Sequence, residues 1–164
     1  MKDSGITRRI DDLGRIVVPK ELRNNLGIRD GEPLLISTQD DTIIIKKYSK
    51  IEKLEDKIKK YCQIVSDVIS ANIIVTDREK VIYSDIDEIS NQKLNKELKE
   101  FIDQRESFLK DELSDYLNIK GYFVIIPMIT FSDSVGLLII YNDKQSVLKY
   151  KDIAIVLSKL IVLD

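Results

Sequence analysis

Asp11-Asp12-Leu13-Gly14-Arg15-Ile16-Val17-Val18-Pro19-Lys20-Glu21-Leu22-Arg23 compresses three local signals into thirteen residues. Asp-Leu-Gly favours a tight turn, Ile16-Val17-Val18 is a β-branched run suited to a strand, and Pro19 suits the first position of a helix, where a missing N–H costs nothing. Leu22 and Leu26 stand four residues apart on one helical face, and Gly27 stops the stripe. Arginines fall before, inside and after the run, at Arg8, Arg9, Arg15 and Arg23.

Upstream, Ile6, Arg8 and Ile10 share one face of an alternating segment, with Thr7 and Arg9 on the other, so apolar and basic residues are not separated. Downstream, Gly31-Glu32-Pro33 turns the chain into a strand at Leu34 to Thr38. Gln39 to Asp41 form another turn, and Thr42 to Tyr48 return. Two hairpins thus flank one short helix in a segment of about 50 residues, a size that is marginal alone and usually needs a partner subunit, a metal or disulfides.

Composition narrows that choice. The chain has 164 residues, 43% of them hydrophobic, with one cysteine, Cys62, and no histidine. An internal disulfide is excluded and a zinc or iron site is disfavoured, so oligomerisation is the expected remedy. The net charge of −2 is unevenly divided: residues 1–50 carry ten Lys/Arg against eight Asp/Glu, and the remainder sixteen against twenty. The basic half is the N-terminal one, but its excess is small. Phosphate binding would then depend on a few arginines placed on one face and doubled in a dimer. Met1-Lys2-Asp3-Ser4 has no apolar signal region and no apolar run approaches the roughly 20 residues of a spanning helix, so a cytoplasmic, nucleoid-associated protein is expected.

Ser49-Lys50-Ile51-Glu52 has the form of a capping box, and it opens a connecting helix over 51–70 without a linker. Ile51, Leu54, Ile58, Tyr61, Val65 and Val68 are spaced 3, 4, 3, 4, 3, a heptad seam that either packs on its own domain or pairs with a second copy. Beyond it the pattern reads strand, strand, helix, strand, strand, helix. Asn72 to Thr76 and Lys80 to Ser84 are joined by Asp77-Arg78-Glu79. A helix from near Asn91 aligns Leu94, Leu98, Phe101, Ile102, Phe108 and Leu109. Tyr122 to Thr130 and Val135 to Tyr141 are joined by Phe131-Ser132-Asp133-Ser134, and Pro127 marks the first of these as an edge or a bulge. A last helix begins near Ser146. It is apolar nearly all round from Ile153 to Leu163, so Ile153, Leu157 and Leu160 are expected to pack on more than one side.

The Gly14-Arg15, Ile16-Val17-Val18, Pro19, Glu21-Leu22-Arg23 string resembles the AbrB-type DNA-binding domain of bacterial transition-state regulators. The helix-flanked strand pair Ile126-Pro127-Met128-Ile129 and Val135-Gly136-Leu137-Leu138-Ile139 is similar to a GAF domain. Head and tail together resemble the SpoVT-type sporulation regulators. The resemblance implies an α+β protein with two domains: residues 1–50, a swapped-hairpin β-barrel closed by two chains, and residues 51–164, a GAF-like antiparallel sheet flanked by helices. It implies double-stranded DNA as partner, with Arg8, Arg9, Arg15 and Arg23 as DNA-facing positions and Asn24 where some relatives carry another arginine. Arginine suits that task because its guanidinium grips phosphate or a guanine edge bidentately. The same arginines admit a structural reading, in which Arg15 pairs with Asp11 or Asp12 to hold the turn and Arg23 is a solvated helix residue.

The resulting expectation is a transcriptional regulator of sporulation or transition-state genes, assembled as a dimer or tetramer. The alternatives are a MazE-type antitoxin, which shares the head, and a dimerising signal module without DNA binding. An enzyme is not expected: no histidine supplies a neutral-pH base, the six glycines form no phosphate loop, and Asp85, Asp87 and Glu88 read as a solvated acidic turn. No cofactor or metal is implied. Tyr83, Phe101, Phe108, Tyr122 and Phe123 could line a small-molecule cavity of unidentified ligand, or form core.

Overall fold

The computed structural model describes residues 5–130 and 133–163; the readings of Met1 to Ser4, Phe131 and Ser132 fall outside them. It is a mixed α+β chain of two compact units dividing after Tyr48.

In the first unit, helix α1 (Lys20–Asn25) precedes a hairpin of β1 (Leu34–Gln39) and β2 (Thr42–Lys47), paired from Leu34↔Lys47 to Gln39↔Thr42. Pro19 stands one position earlier than expected, at the helix cap: its backbone is extended (φ −56°, ψ 144°) and its carbonyl accepts from Arg23 N–H at 3.0 Å. Gly27 (φ +61°) then reverses the chain. The expected strands at Ile6 to Ile10 and Ile16 to Val18 are not formed in the single chain, because a strand needs a hydrogen-bonded neighbour and none of the described segments supplies one. No described residue of 5–50 is buried. Ile10, Leu13, Val17, Leu26, Ile36 and Ile43 are all more than half exposed.

The second unit is built on a five-stranded antiparallel sheet in the order β4-β3-β7-β6-β5, comprising β3 (Asn72–Thr76), β4 (Val81–Ser84), β5 (Phe108–Tyr116), β6 (Ile119–Thr130) and β7 (Asp133–Asn142). Its central strands are apolar without alternation because both faces are covered. Ile73, Val75, Val124, Ile126, Leu138 and Ile140 face α2 (Glu55–Ser66) and α4 (Lys151–Val162). Ile74, Phe123, Ile125, Leu137 and Ile139 face α3 (Lys96–Gln104).

Several expected boundaries shift. Glu52 N–H donates to Ser49 Oγ at 3.1 Å, but the reciprocal arm of the capping box is absent: the Glu52 carboxylate pairs with Lys80 at 3.3 Å. Residues 52–54 form a 3₁₀ turn before α2, which ends at Ser66, short of 70. Phe108 and Leu109 do not continue the third helix. Arg105 closes it in the left-handed region (φ +56°), and Phe108 opens β5, a strand absent from the sequence reading. That strand is an edge whose Lys110, Asp111, Glu112 and Asp115 break the apolar pattern, as edges protected from further pairing do. Pro127 sits in a central strand, but past the last β5 partner at Ile125, so its missing N–H costs no ladder bond on that side. The bulge falls one residue on, between Met128 and Ile129.

Two consequences are measurable. A Cβ on Gly136 would lie 1.9 Å from the Thr76 carbonyl oxygen. Gly136→Ala should therefore destabilise the sheet by about 1–3 kcal/mol or more, read from urea unfolding. The Cys62 thiol is pushed up to about 12, chiefly by burial and then by the Asp85 charge. Its contribution to stability is thus full below pH 9 and is lost as pH rises toward 12. Native protein at pH 8 should resist alkylation at this site, and urea-unfolded protein should react.

Candidate nucleic-acid interface

The motif folds locally around one carboxylate. Asp11 Oδ1 accepts from the N–H groups of Leu13 (3.0 Å) and Arg15 (2.8 Å), while Oδ2 accepts from Arg15 Nε at 2.7 Å. Main-chain bonds Gly14 N–H to Asp11 O (2.9 Å) and Asp11 N–H to Arg15 O (3.1 Å) close the same turn, which Gly14 permits at φ +75°. The sequence left Asp11 and Asp12 as equal candidates for Arg15, and the structure selects Asp11. Its carboxyl is held below the usual carboxylate range, first by the Arg15 backbone N–H and then by the Arg15 side chain. Nε is committed to Asp11, and the Arg15 side chain is 72% exposed.

The remaining predicted positions are distributed as follows. Arg8 is exposed, and its Nη1 makes a long 3.4 Å bond to the Thr7 carbonyl. Arg9 and Asn24 are exposed. Arg23 is not simply solvated: its Nη1 pairs with Asp30 on the loop after α1. Sequence reading missed Asp30. Gly27 and Gly31, both at positive φ, bracket the loop that carries it, a conformation that the sequence does not by itself specify.

The predicted pairing residues divide sharply. Ile51 and Ile58 are fully buried, and Leu54, Tyr61 and Val65 pack beside them, against the unit's own sheet. Five of the six seam residues are therefore used within the chain, where the apolar faces of β3, β6 and β7 meet them. Val68 is 78% exposed, beyond the end of α2. Leu157 is buried at the floor of an apolar groove that Ile153 and Leu160 line with Val65, Val156 and Asp152.

The aromatic residues considered as a cavity lining do not share a face. Tyr83 and Tyr122 pack with the α2/α4 side. Phe101, Phe108 and Phe123 join Tyr116 and Tyr141 in a run of ring contacts with centroids 4.9–6.1 Å apart on the α3 side. Asp85 is no idle acid: it accepts from Tyr83 OH (2.6 Å), Ser66 Oγ (2.8 Å) and Ile73 N–H (2.8 Å), tying α2 to β3 and β4. Among the described residues no group of three or more His, Cys, Asp or Glu is arranged to hold a metal ion, and no helix is long and apolar enough to cross a membrane.

Because the folded Asp11 carboxyl ionises at lower pH than a free one, the turn gains from it above the unfolded value of 3.8 and loses that gain as pH falls through the lowered folded value. In an NMR titration the Arg15 Nε–H resonance should stay protected at pH 5 and broaden only below pH 3.8.

Comparison with known proteins places this geometry. Residues 7–53 match the family model for MazE, the bacterial antitoxin of antidote-toxin recognition, and residues 53–160 match that for the C-terminal part of stage V sporulation protein T, a transcription factor. Stage V sporulation protein T of Bacillus subtilis is 34% identical over 156 residues, which covers 89% of this chain and 88% of that protein. The transition state regulatory protein AbrB of the same organism is 37% identical over 100 residues, covering 58% of this chain and 96% of AbrB. A MazE/AbrB-type head on a stage V sporulation protein T tail, aligned along nearly the whole length of both chains, makes this protein a member of the stage V sporulation protein T family.

Proposed function

We propose that this chain is a sequence-dependent DNA-binding transcriptional regulator of sporulation or transition-state genes, and that its head acts only as a pair. The observation that carries this reading is the contrast within residues 5–50. The guanidinium of Arg15 is fixed by a dedicated carboxylate, yet no residue of the segment is buried. A head with that little core gains its stability from a second chain, which also supplies ladder partners for Ile6 to Ile10 and Ile16 to Val18. Two chains exchanging hairpins would close one barrel and double the set Arg8, Arg9, Arg15, Arg23 and Asn24 on DNA, offsetting the modest basic excess of each chain.

The GAF-like unit supplies the further association. Val156 and Leu160 are exposed apolar groups that share a groove with Val65 and Ile153, Ile64 and Val68 are exposed as well, and these groups favour isologous packing of α2 and α4 from two copies into a dimer or, with paired heads, a tetramer. No cofactor is needed for either role; a small-molecule effector of the GAF-like unit would act through this assembly. The protein works on DNA in the cytoplasm.

The antitoxin reading is favoured by the match of residues 7–53 to MazE alone. Against it stands the tail, which folds around a sheet with two buried faces rather than remaining extended to wrap a toxin. Limited proteolysis separates the two: a resistant fragment near 51–164 supports the regulator, and rapid digestion of the tail supports the antitoxin.

The decisive test is charge reversal. Arg15→Glu with Arg23→Glu should abolish duplex binding in a gel shift while circular dichroism keeps the native spectrum; unchanged binding would remove both residues from the interface. Affinity should fall steeply with salt, because the contacts are mainly to phosphates. Val156→Glu with Leu160→Glu should reduce the assembly size in sedimentation velocity; an unaltered size would locate association elsewhere.

A further inference from the structure

Arg15 and Arg23 are both held by a carboxylate of their own chain, but the two carboxylates are held differently. Asp11 accepts two backbone N–H groups on Oδ1 as well as Arg15 Nε on Oδ2, so its carboxylate is held in the turn. Asp30 has no such anchorage. Its side chain is 92% exposed, and it meets Arg23 Nη1. Positive-φ glycines at 27 and 31 bracket the loop that brings it there. The Arg23 side chain is itself only 33% exposed, lying along the end of α1 toward that loop.

A carboxylate offers a guanidinium the same planar pair of oxygens that a phosphate offers, and one edge of the fork serves one of them at a time. We propose that Asp30 is an internal stand-in for DNA phosphate: it occupies Arg23 in the free protein, is displaced when a duplex binds, and so sets the affinity threshold of the head. Exposed ion pairs are weak enough to be exchanged in this way. The exchange occurs once per chain and twice per paired head. Asp11 and Asp30 thus have opposite effects on DNA binding, the first aiming an arginine and the second withholding one.

This inference rests on Arg23 being a DNA contact, and the test separates the two ideas. Full-length wild type, Asp30→Asn, Arg23→Ala and the double variant are compared by fluorescence anisotropy on a labelled mixed-sequence DNA duplex at one ionic strength. Asp30→Asn should tighten binding by about 3- to 10-fold, from release of two weak surface pairs. Asp30→Ser, which lacks an amide able to keep the bond, should do the same. Arg23→Ala should weaken binding, and in that background Asp30→Asn should have little effect. An equal gain from Asp30→Asn with and without Arg23 would overturn the proposal in favour of simple loss of a repulsive charge. Unchanged or weaker binding by Asp30→Asn, with Arg23→Ala still harmful, would overturn the masking alone. No effect of Arg23→Ala would overturn the DNA-contact reading beneath it.

Discussion

An N-terminal segment with no buried side chain imposes the constraint on which the rest of this protein depends. Backbone ordering costs on the order of 1–2 kcal/mol per residue, and burial of apolar surface is the main term that offsets it. In residues 5–50 that burial is missing within one chain, although Ile6, Ile10, Ile16, Val17, Ile36 and Ile43 are available to provide it. Local devices hold the shape of parts: the Asp11 turn, the Gly27 reversal after α1, and the β1–β2 ladder. None of them replaces a core. The dependence on a second copy proposed for the head rests on this deficit.

The C-terminal unit is the opposite case, with a sheet buried on both faces and its charges arranged at the rim. The β3–β4 turn shows how those charges are used. Arg78 donates to Asp103 (2.5 Å) and to the Ser134 carbonyl (2.6 Å), the Glu79 carboxylate accepts from Lys99 (2.6 Å), and Lys80 reaches Glu52. One four-residue turn thereby ties α3, β7 and the start of the connecting helix. Such partly exposed pairs add little stability individually. Their effect is on registry, since together they tie the turn to three neighbouring elements.

How much of this was legible in the sequence differs by residue. The Gly14-Arg15 turn, the stop at Gly27, the Ser49 cap and the central strands carry strong local signals, and the structure agrees with them. The strand β5 was not legible, because its edge position places lysine and acids where an alternating strand would carry apolar residues, and its first residues, Phe108 and Leu109, fit a helical stripe. The heptad from Ile51 was legible as an apolar seam but not as to which surface it would meet. Periodicity reports that a face is buried without naming its partner, and the sheet supplied one inside the chain for Ile51 and Ile58. Asp30 lay beyond any motif, since its meeting with Arg23 depends on two glycine conformations that composition alone does not specify.

The protected edge β5 has a consequence for the form that assembly can take. At the opposite border of the sheet, β4 is only four residues long. With one border charged and bulged and the other brief, strand-to-strand addition of further copies is disfavoured at both ends. Growth by sheet extension has no terminus and leads to fibres, whereas a helical patch that meets its own copy across a two-fold axis is consumed by the encounter. The fold thus admits closed point-group assemblies and discourages open polymers.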